Sequence, residues 1–362
     1  MSVPAMSTPF LPLAGIRVLD FSHVIAGPMA SFYLAQLGAS VTKVEGPHGD
    51  IMRKGRGLPA FVALNAGKDC IRLDLTDAAD LQRAHALAAD ADVLLDSLRP
   101  GVLDGFGLGA EALRERHPRL IYCAVSGFGR RGPWAHRPAY DHVVQAATGM
   151  AMMAGNEGDA PVKTGFPVVD SAAGIVAALA ILATLRERDA TGQGRFIDVA
   201  MSAAAMQLMY PMACAALTEG TSPPRVGNQG YSGSPAADIF DAADGHVALG
   251  ANTPRQFVAL LQVLGCEALA SDQTLFDPPL TAASAPEFLR AKDPARLRTA
   301  LVAAVRGWPA AALEAACAQA QVPAARVRRI AEFAAEARAA DGLGTLPLQA
   351  EGVQVISPGL GF

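Results

Sequence analysis

From residue 16 onward, short β-branched runs alternate with alanine- and leucine-rich stretches at helical spacing. Residues 16–21 (IRVLDF) predict a strand, the Ala26-Gly27-Pro28 step a turn, 29–37 a helix and 40–45 (SVTKVE) a second strand. The pattern continues with a strand over 69–75, a helix over 78–89, a strand over 92–95, a helix over 110–116 and a strand over 120–126. Such βα alternation predicts an α/β fold, a Rossmann-like parallel sheet with helices on both faces, whose ligands gather beyond the carboxyl ends of the strands. No G-x-G-x-x-G follows the first strand, which speaks against a nicotinamide dinucleotide enzyme.

Residues 172–185 carry no charge and predict a buried helix, ended by Arg186-Glu187-Arg188 and the Thr191-Gly192-Gln193-Gly194 turn. Residues 199–218 are also apolar, but Ser202, Gln207 and Pro211 interrupt them; both segments are expected to be buried helices, not membrane spans. Proline and glycine concentrate over 219–235, and 238–250 predict a hairpin around Asp244-Gly245. Alanine-rich helices are expected through about residue 340, and the tail returns to short alternating runs. The expected organisation is a large domain over 1–224, completed by 326–362, and a smaller α+β domain over 225–325.

The 362 residues, 51% hydrophobic and 18% charged, fit a packed globular enzyme. A net charge of −4 without a long basic run argues against a nucleic-acid partner, whose binding rests on phosphate neutralisation. The five cysteines (Cys70, Cys123, Cys214, Cys266, Cys317) lie too far apart for a metal site or a disulfide framework, so no metal is expected and the thiols suit a reducing cytoplasm. The first residues lack the basic start and apolar run of a signal peptide, so export is not expected.

One carboxylate invites a chemical question. Asp170 stands at the mouth of the apolar 172–185 run, at or next to the N-cap, where free backbone N–H groups and the helix dipole favour its ionised form. On spacing alone it reads as a cap or as an oriented nucleophile.

Several segments together resemble the class III CoA-transferases, the family of formyl-CoA transferase and carnitine CoA-transferase, with α-methylacyl-CoA racemases as relatives. They are LAGIRVLDFSHVIAGPMASFYLAQLGASVTKVE at 13–45, NAGKDCIRLDL at 65–75, DSLRPGVLDGFGLG at 96–109, AYDHVVQAATGM at 139–150, the Asp170 block and FDAADGHVAL at 240–249. The resemblance implies an interlocked homodimer and makes Asp170 the catalytic nucleophile. It also implies no tightly bound cofactor, with coenzyme A entering as the acyl-CoA co-substrate beside a small carboxylic acid. Its coenzyme A contacts fall on Ile25, Ala26, Leu73, Asp74, Thr76, Ser97, Leu98, Arg99, Pro138, Ala139, Tyr140 and Asp141, with Arg53, Lys54, Arg56 and Arg137 as further cations for phosphate. Gly233, in Ser232-Gly233-Ser234, takes the place of the family's mobile glycine-rich loop, though with fewer glycines. Ile25 stands where formyl-CoA transferase has a glutamine and Gly105 where it has an arginine, which argues against formyl-CoA or oxalate.

A racemase needs an acid–base pair across the α-carbon, and those relatives place a histidine directly before an acid. That slot here reads Ala139-Tyr140-Asp141, and a phenol is a poor base near neutrality. His142, two residues on, is expected to point to another face, and His23 either lines the coenzyme A site or closes a strand end. Transferase is the favoured reading over racemase, and over a silent acyl-CoA-binding relative, against which the retained Asp170 speaks.

Overall fold

The computed structural model describes residues 10–359 apart from 282, 285 and 286. Its described chain runs β1 (Arg17–Phe21), α1 (Ala26–Gln36), β2 (Ser40–Glu45), α2 (Leu58–Asn65), β3 (Asp69–Arg72), α3 (Ala78–Asp90), β4 (Val93–Asp96), α4 (Ala110–Arg116), β5 (Ile121–Ser126), α5 (Asp141–Ala147), α6 (Val168–Thr191) and β6 (Phe196–Ala200). The six strands form a wholly parallel sheet in the order β3-β2-β1-β4-β5-β6. The order reverses between β1 and β4, so the loops leaving Phe21 and Asp96 flank the crevice where such sheets take their ligands.

Alternation along the strands gives each face its own core. Val18, Val93, Leu95, Ile121 and Cys123 pack with α1 and α6, while Leu19, Leu94, Tyr122 and Ala124 pack with α3 and α4. The expected Ala26-Gly27-Pro28 turn is instead the first turn of α1, because a proline this early in a helix gives up only an N–H that has no partner there.

Helix α6 spans 24 residues, longer at both ends than the charge-free stretch predicts. It is long and apolar enough by composition to cross a bilayer, yet half of its most apolar window is buried in the protein. At Gly174 an added Cβ would lie 2.8 Å from the Ala26 carbonyl oxygen and 2.9 Å from Met29 Cβ, so α1 and α6 approach backbone to backbone. Gly174→Ala is therefore expected to lower stability by about 1–3 kcal/mol, read as a lower denaturation midpoint, because two helices must move apart.

The 199–218 segment is not one buried helix. It completes β6 and then forms α7 (Met201–Leu208) and α8 (Tyr210–Glu219), broken at Met209 with Pro211 in the first turn of the second. In α8 only Ala213 is buried.

A second compact unit holds residues 155–159 and 225–343. It contains β7 (Ala237–Asp241), β8 (His246–Gly250), α9 (Pro254–Leu264), α10 (Pro294–Arg306), α11 (Ala310–Gln319), β9 (Ala324–Arg326) and α12 (Ile330–Ala339). The expected hairpin forms as β7 and β8, and β9 joins it in a three-stranded antiparallel sheet over the Phe240, Phe257 and Leu301 core. The expected boundary at 325/326 is displaced. Arg326 pairs with Val247 in the sheet, and Arg328 joins Glu314 of α11 at 2.8 Å to Glu336 of α12 at 2.7 Å, which keeps α12 in this unit. Residues 155–159 join it because Gly227 N donates to Gly155 O at 2.9 Å and Asn156 bridges Val226. The hairpin β10 (Thr345–Ala350) and β11 (Val353–Pro358) belongs to the first unit, where Leu348 packs with Phe61 and Val62 of α2.

Candidate active site

Asp170 is the third residue of α6, not its cap, and Pro167 at the N-cap position offers no side-chain acceptor. The cap comes from Asp141, at the start of α5. Its Oδ2 accepts the backbone N–H groups of Val169 at 2.8 Å and Asp170 at 3.0 Å. Its other oxygen accepts from Gln145 Nε2, and Gln145 Oε1 accepts Thr164 N at 2.9 Å, so one buried network fixes the approach to α6.

Freed from capping, the Asp170 side chain lines a cavity of about 240 Å³ at the carboxyl edge of the sheet and is, among the described residues, the one carboxylate in its wall. Burial, and then the nearby charge of Asp141, raise its pKa from 3.8 to about 7. Its backbone N–H serves Asp141, and burial, ahead of the Asp141 charge, favours the protonated form over the ionised one expected at a helix mouth. Near neutrality Asp170 passes readily between acid and carboxylate.

Of the residues implicated by sequence, Ile25, Ala26, Ser97, Leu98, Arg99, Pro138, Ala139 and Tyr140 line this cavity with Asp170. They come from the two loops at the reversal of strand order and from the segment entering α5. Leu73, Asp74 and Thr76 do not reach it: Leu73 N closes on Glu45 O at 2.9 Å, and Asp74 Oδ1 is taken by the Thr76 backbone and hydroxyl. Asp141 lies beneath the site as a cap and is no part of the wall. Gly233 sits in a turn of the second unit at φ +70°, its N–H donated to Gly230 O.

Among the candidate cations, Arg53 is already committed, to Glu45 at 2.7 Å and Glu351 at 2.8 Å. Arg99 and Arg137 border the cavity, the latter over the Trp134 ring at 4.4 Å. His23 lines the wall too, burial holding its imidazole below the ordinary value. Tyr140 and His142 do not face apart: their rings lie parallel at 5° with centroids 6.3 Å apart, because Tyr140 precedes the helix in extended backbone.

Two features were not singled out from the sequence. Asp96, at the end of β4, accepts Leu98 N at 2.8 Å and the Tyr122 hydroxyl at 2.9 Å and pairs with Arg130, which shapes the Ser97–Arg99 loop. Ser126, closing β5, puts a buried hydroxyl without a hydrogen-bond partner into the cavity wall. Only the β-end position of each residue hinted at a role.

A Rossmann-like sheet thus opens a cavity at its switch point with Asp170, alone of the carboxylates among the described residues, in its wall. The chain belongs to CoA-transferase family III, whose model matches residues 13–358, and is by that membership a CoA-transferase. It is 37% identical to a probable fatty acyl-CoA transferase of Mycobacterium tuberculosis, covering 74% of this chain and 72% of that one. It is 32% identical to a succinate–glutarate CoA-transferase of Agrobacterium fabrum, over 96% of this chain and 88% of the relative. Among solved structures, that of a CaiB/BaiF family protein from Brucella suis superposes with a TM-score of 0.79 at 30% identity, over 95% of this chain and 90% of that one.

Proposed function

We propose that the protein moves coenzyme A from an acyl-CoA donor to a free carboxylic acid with Asp170 as the covalent carrier. A carboxylate oxygen of Asp170 attacks the donor thioester, expelling the thiolate and leaving an aspartyl–acyl anhydride. The thiolate attacks the aspartyl carbonyl, the donor acid leaves as carboxylate, and an aspartyl-CoA thioester remains. The acceptor carboxylate displaces the thiolate to form a second anhydride. The thiolate then attacks its acyl carbonyl, releasing the new acyl-CoA and restoring Asp170. The reading is carried by one observation: among the described residues Asp170 is the sole carboxylate of the cavity formed by the switch-point loops.

The acids are carboxylates of the kinds that the relatives' names give, which include succinate, glutarate, mesaconate, oxalate and fatty acids. Ile25 gives the same cavity wall an apolar side chain suited to the hydrocarbon part of an acyl group. Arg99 and Arg137 are the cations available to phosphate or to a second carboxylate.

Succinyl-CoA or acetyl-CoA with a panel of free acids, run in heavy water and read by mass spectrometry, tests the reading. The expected product is a new acyl-CoA; deuterium entering the α-carbon of a 2-methylacyl-CoA without transfer would instead indicate a racemase, and neither change a silent binder.

The same reading carries an interlocked homodimer in the cytoplasm. It is supported by large apolar side chains exposed on α6 and α8, among them Leu179 at 65% and Leu217 at 78%, and by five unbridged thiols. Sedimentation should give twice the mass of one chain, and a monomer at micromolar concentration would overturn the assembly.

A further inference from the structure

The turn between β1 and α1 holds a residue that its chemistry disfavours there. Val24 has φ +66°, a left-handed backbone that a β-branched side chain rarely adopts. Such a conformation persists only where its surroundings over-determine it.

Here the surroundings are buried charges. Lys43 Nζ donates to Ser22 O at 2.6 Å and pairs with Asp50 at 3.3 Å, both side chains being almost fully buried. Asp50 Oδ2 in turn accepts the Val24 N–H at 3.3 Å. On the other side of the turn Asp20 accepts Ser22 N at 2.8 Å, and Lys68, 3.5 Å from Asp20, donates to Pro28 O at 2.9 Å and to Ser31 Oγ at 2.7 Å. His23 N donates to Ser97 Oγ at 3.1 Å, tying the turn to the β4 loop. None of Asp20, Lys43, Asp50 or Lys68 lines the cavity, whereas His23, Val24, Ile25 and Ala26 all do. The turn also abuts the helix that bears the nucleophile. The Ala26 carbonyl faces Gly174, one helical turn beyond Asp170 and on the same side of α6.

We propose that Lys43 and Asp50 are positioning residues for the transfer reaction: their buried ion pair latches the left-handed Val24 turn and so fixes the Ile25–Ala26 wall against the face of α6 that carries Asp170. The proposal rests on the assignment of Asp170 as carrier. Loss of the latch misplaces the wall without removing any group that touches the reacting atoms, so kcat falls while coenzyme A binding, spread over several loops, changes less.

The test compares the full-length protein with Asp50→Asn, with Val24→Gly in that background, and with the charge-free pair Lys43→Met/Asp50→Asn. The pair leaves no unpaired buried charge and keeps the test open where Asp50→Asn fails to fold. Two quantities are read on folded protein: amide hydrogen exchange over residues 22–27, and kcat against KM for the acyl-CoA. Exchange over 22–27 is expected to accelerate selectively, with kcat falling on the order of tenfold to a hundredfold and KM changing far less, as for a misplaced reaction geometry. Glycine accepts the left-handed backbone at no steric cost, so Val24→Gly should restore most of the lost kcat. Unchanged exchange over 22–27, an unchanged kcat, or a loss that Val24→Gly leaves in place would overturn the proposal. Wild-type protein that transfers no coenzyme A would instead sink the assignment of Asp170, and the exchange comparison would still decide whether the latch exists.

Discussion

Asp170→Asn is expected to give a folded protein that transfers coenzyme A at least about a thousandfold more slowly, in the range seen when a covalent nucleophile is removed, and that is more stable than the wild type at pH 8. The amide occupies the same volume but cannot form the anhydride. The gain in stability follows from linkage. The folded pKa of about 7 lies above the unfolded value of 3.8, so between those limits the unfolded chain has released a proton that the folded protein still holds. Wild-type stability therefore falls as pH rises through that window, and the penalty is complete above pH 7. At about 1.4 kcal/mol per pKa unit, the penalty is on the order of 4 kcal/mol. Asparagine carries none of it. Denaturant unfolding should place the variant close to wild type near pH 4 and clearly above it at pH 8; a variant less stable at pH 8 would contradict a buried, ionised Asp170.

The second large effect is on the pH profile. Transfer needs the carboxylate, so kcat/KM should fall about tenfold for each pH unit below 7, leaving roughly a tenth of the plateau at pH 6. Burial is the larger cause of the raised pKa and the Asp141 charge the second. Asp141→Asn removes that like charge while keeping one acceptor oxygen for the Val169 and Asp170 N–H groups, so the acidic limb should move to lower pH. The plateau should drop as well, since one neutral oxygen caps α6 less firmly than a carboxylate. A limb that stays in place would remove Asp141 from the electrostatics of the site. A limb that moves upward would show that the cap, rather than the charge, governs Asp170.

Much of the large unit was legible because its signals are local. Residues 40–45 and 110–116 have the ends that their pattern predicts, and the βα alternation gives the parallel sheet and the place of its ligand. The losses come from contacts far apart in the chain. Asp170 looked like a cap because aspartate commonly caps; the true cap lies 29 residues earlier, and no spacing rule reaches that far. Arg53 looked like a free cation until Glu45 and Glu351 took it. Leu73, Asp74 and Thr76, which the family resemblance supplied, stand outside the wall of the Asp170 cavity. The Val24 turn ran against local propensity, since a left-handed valine arises only from tertiary constraint.

The account turns on one covalent bond, which mass spectrometry of the protein during turnover tests most directly. With an acyl-CoA donor and hydroxylamine present, the peptide containing Asp170 should carry a coenzyme A thioester that converts to a hydroxamate at that residue, and Asp170→Asn should carry neither. Transfer at the wild-type rate by Asp170→Asn, or an adduct on another residue during turnover, would contradict the assignment of Asp170 as the carrier.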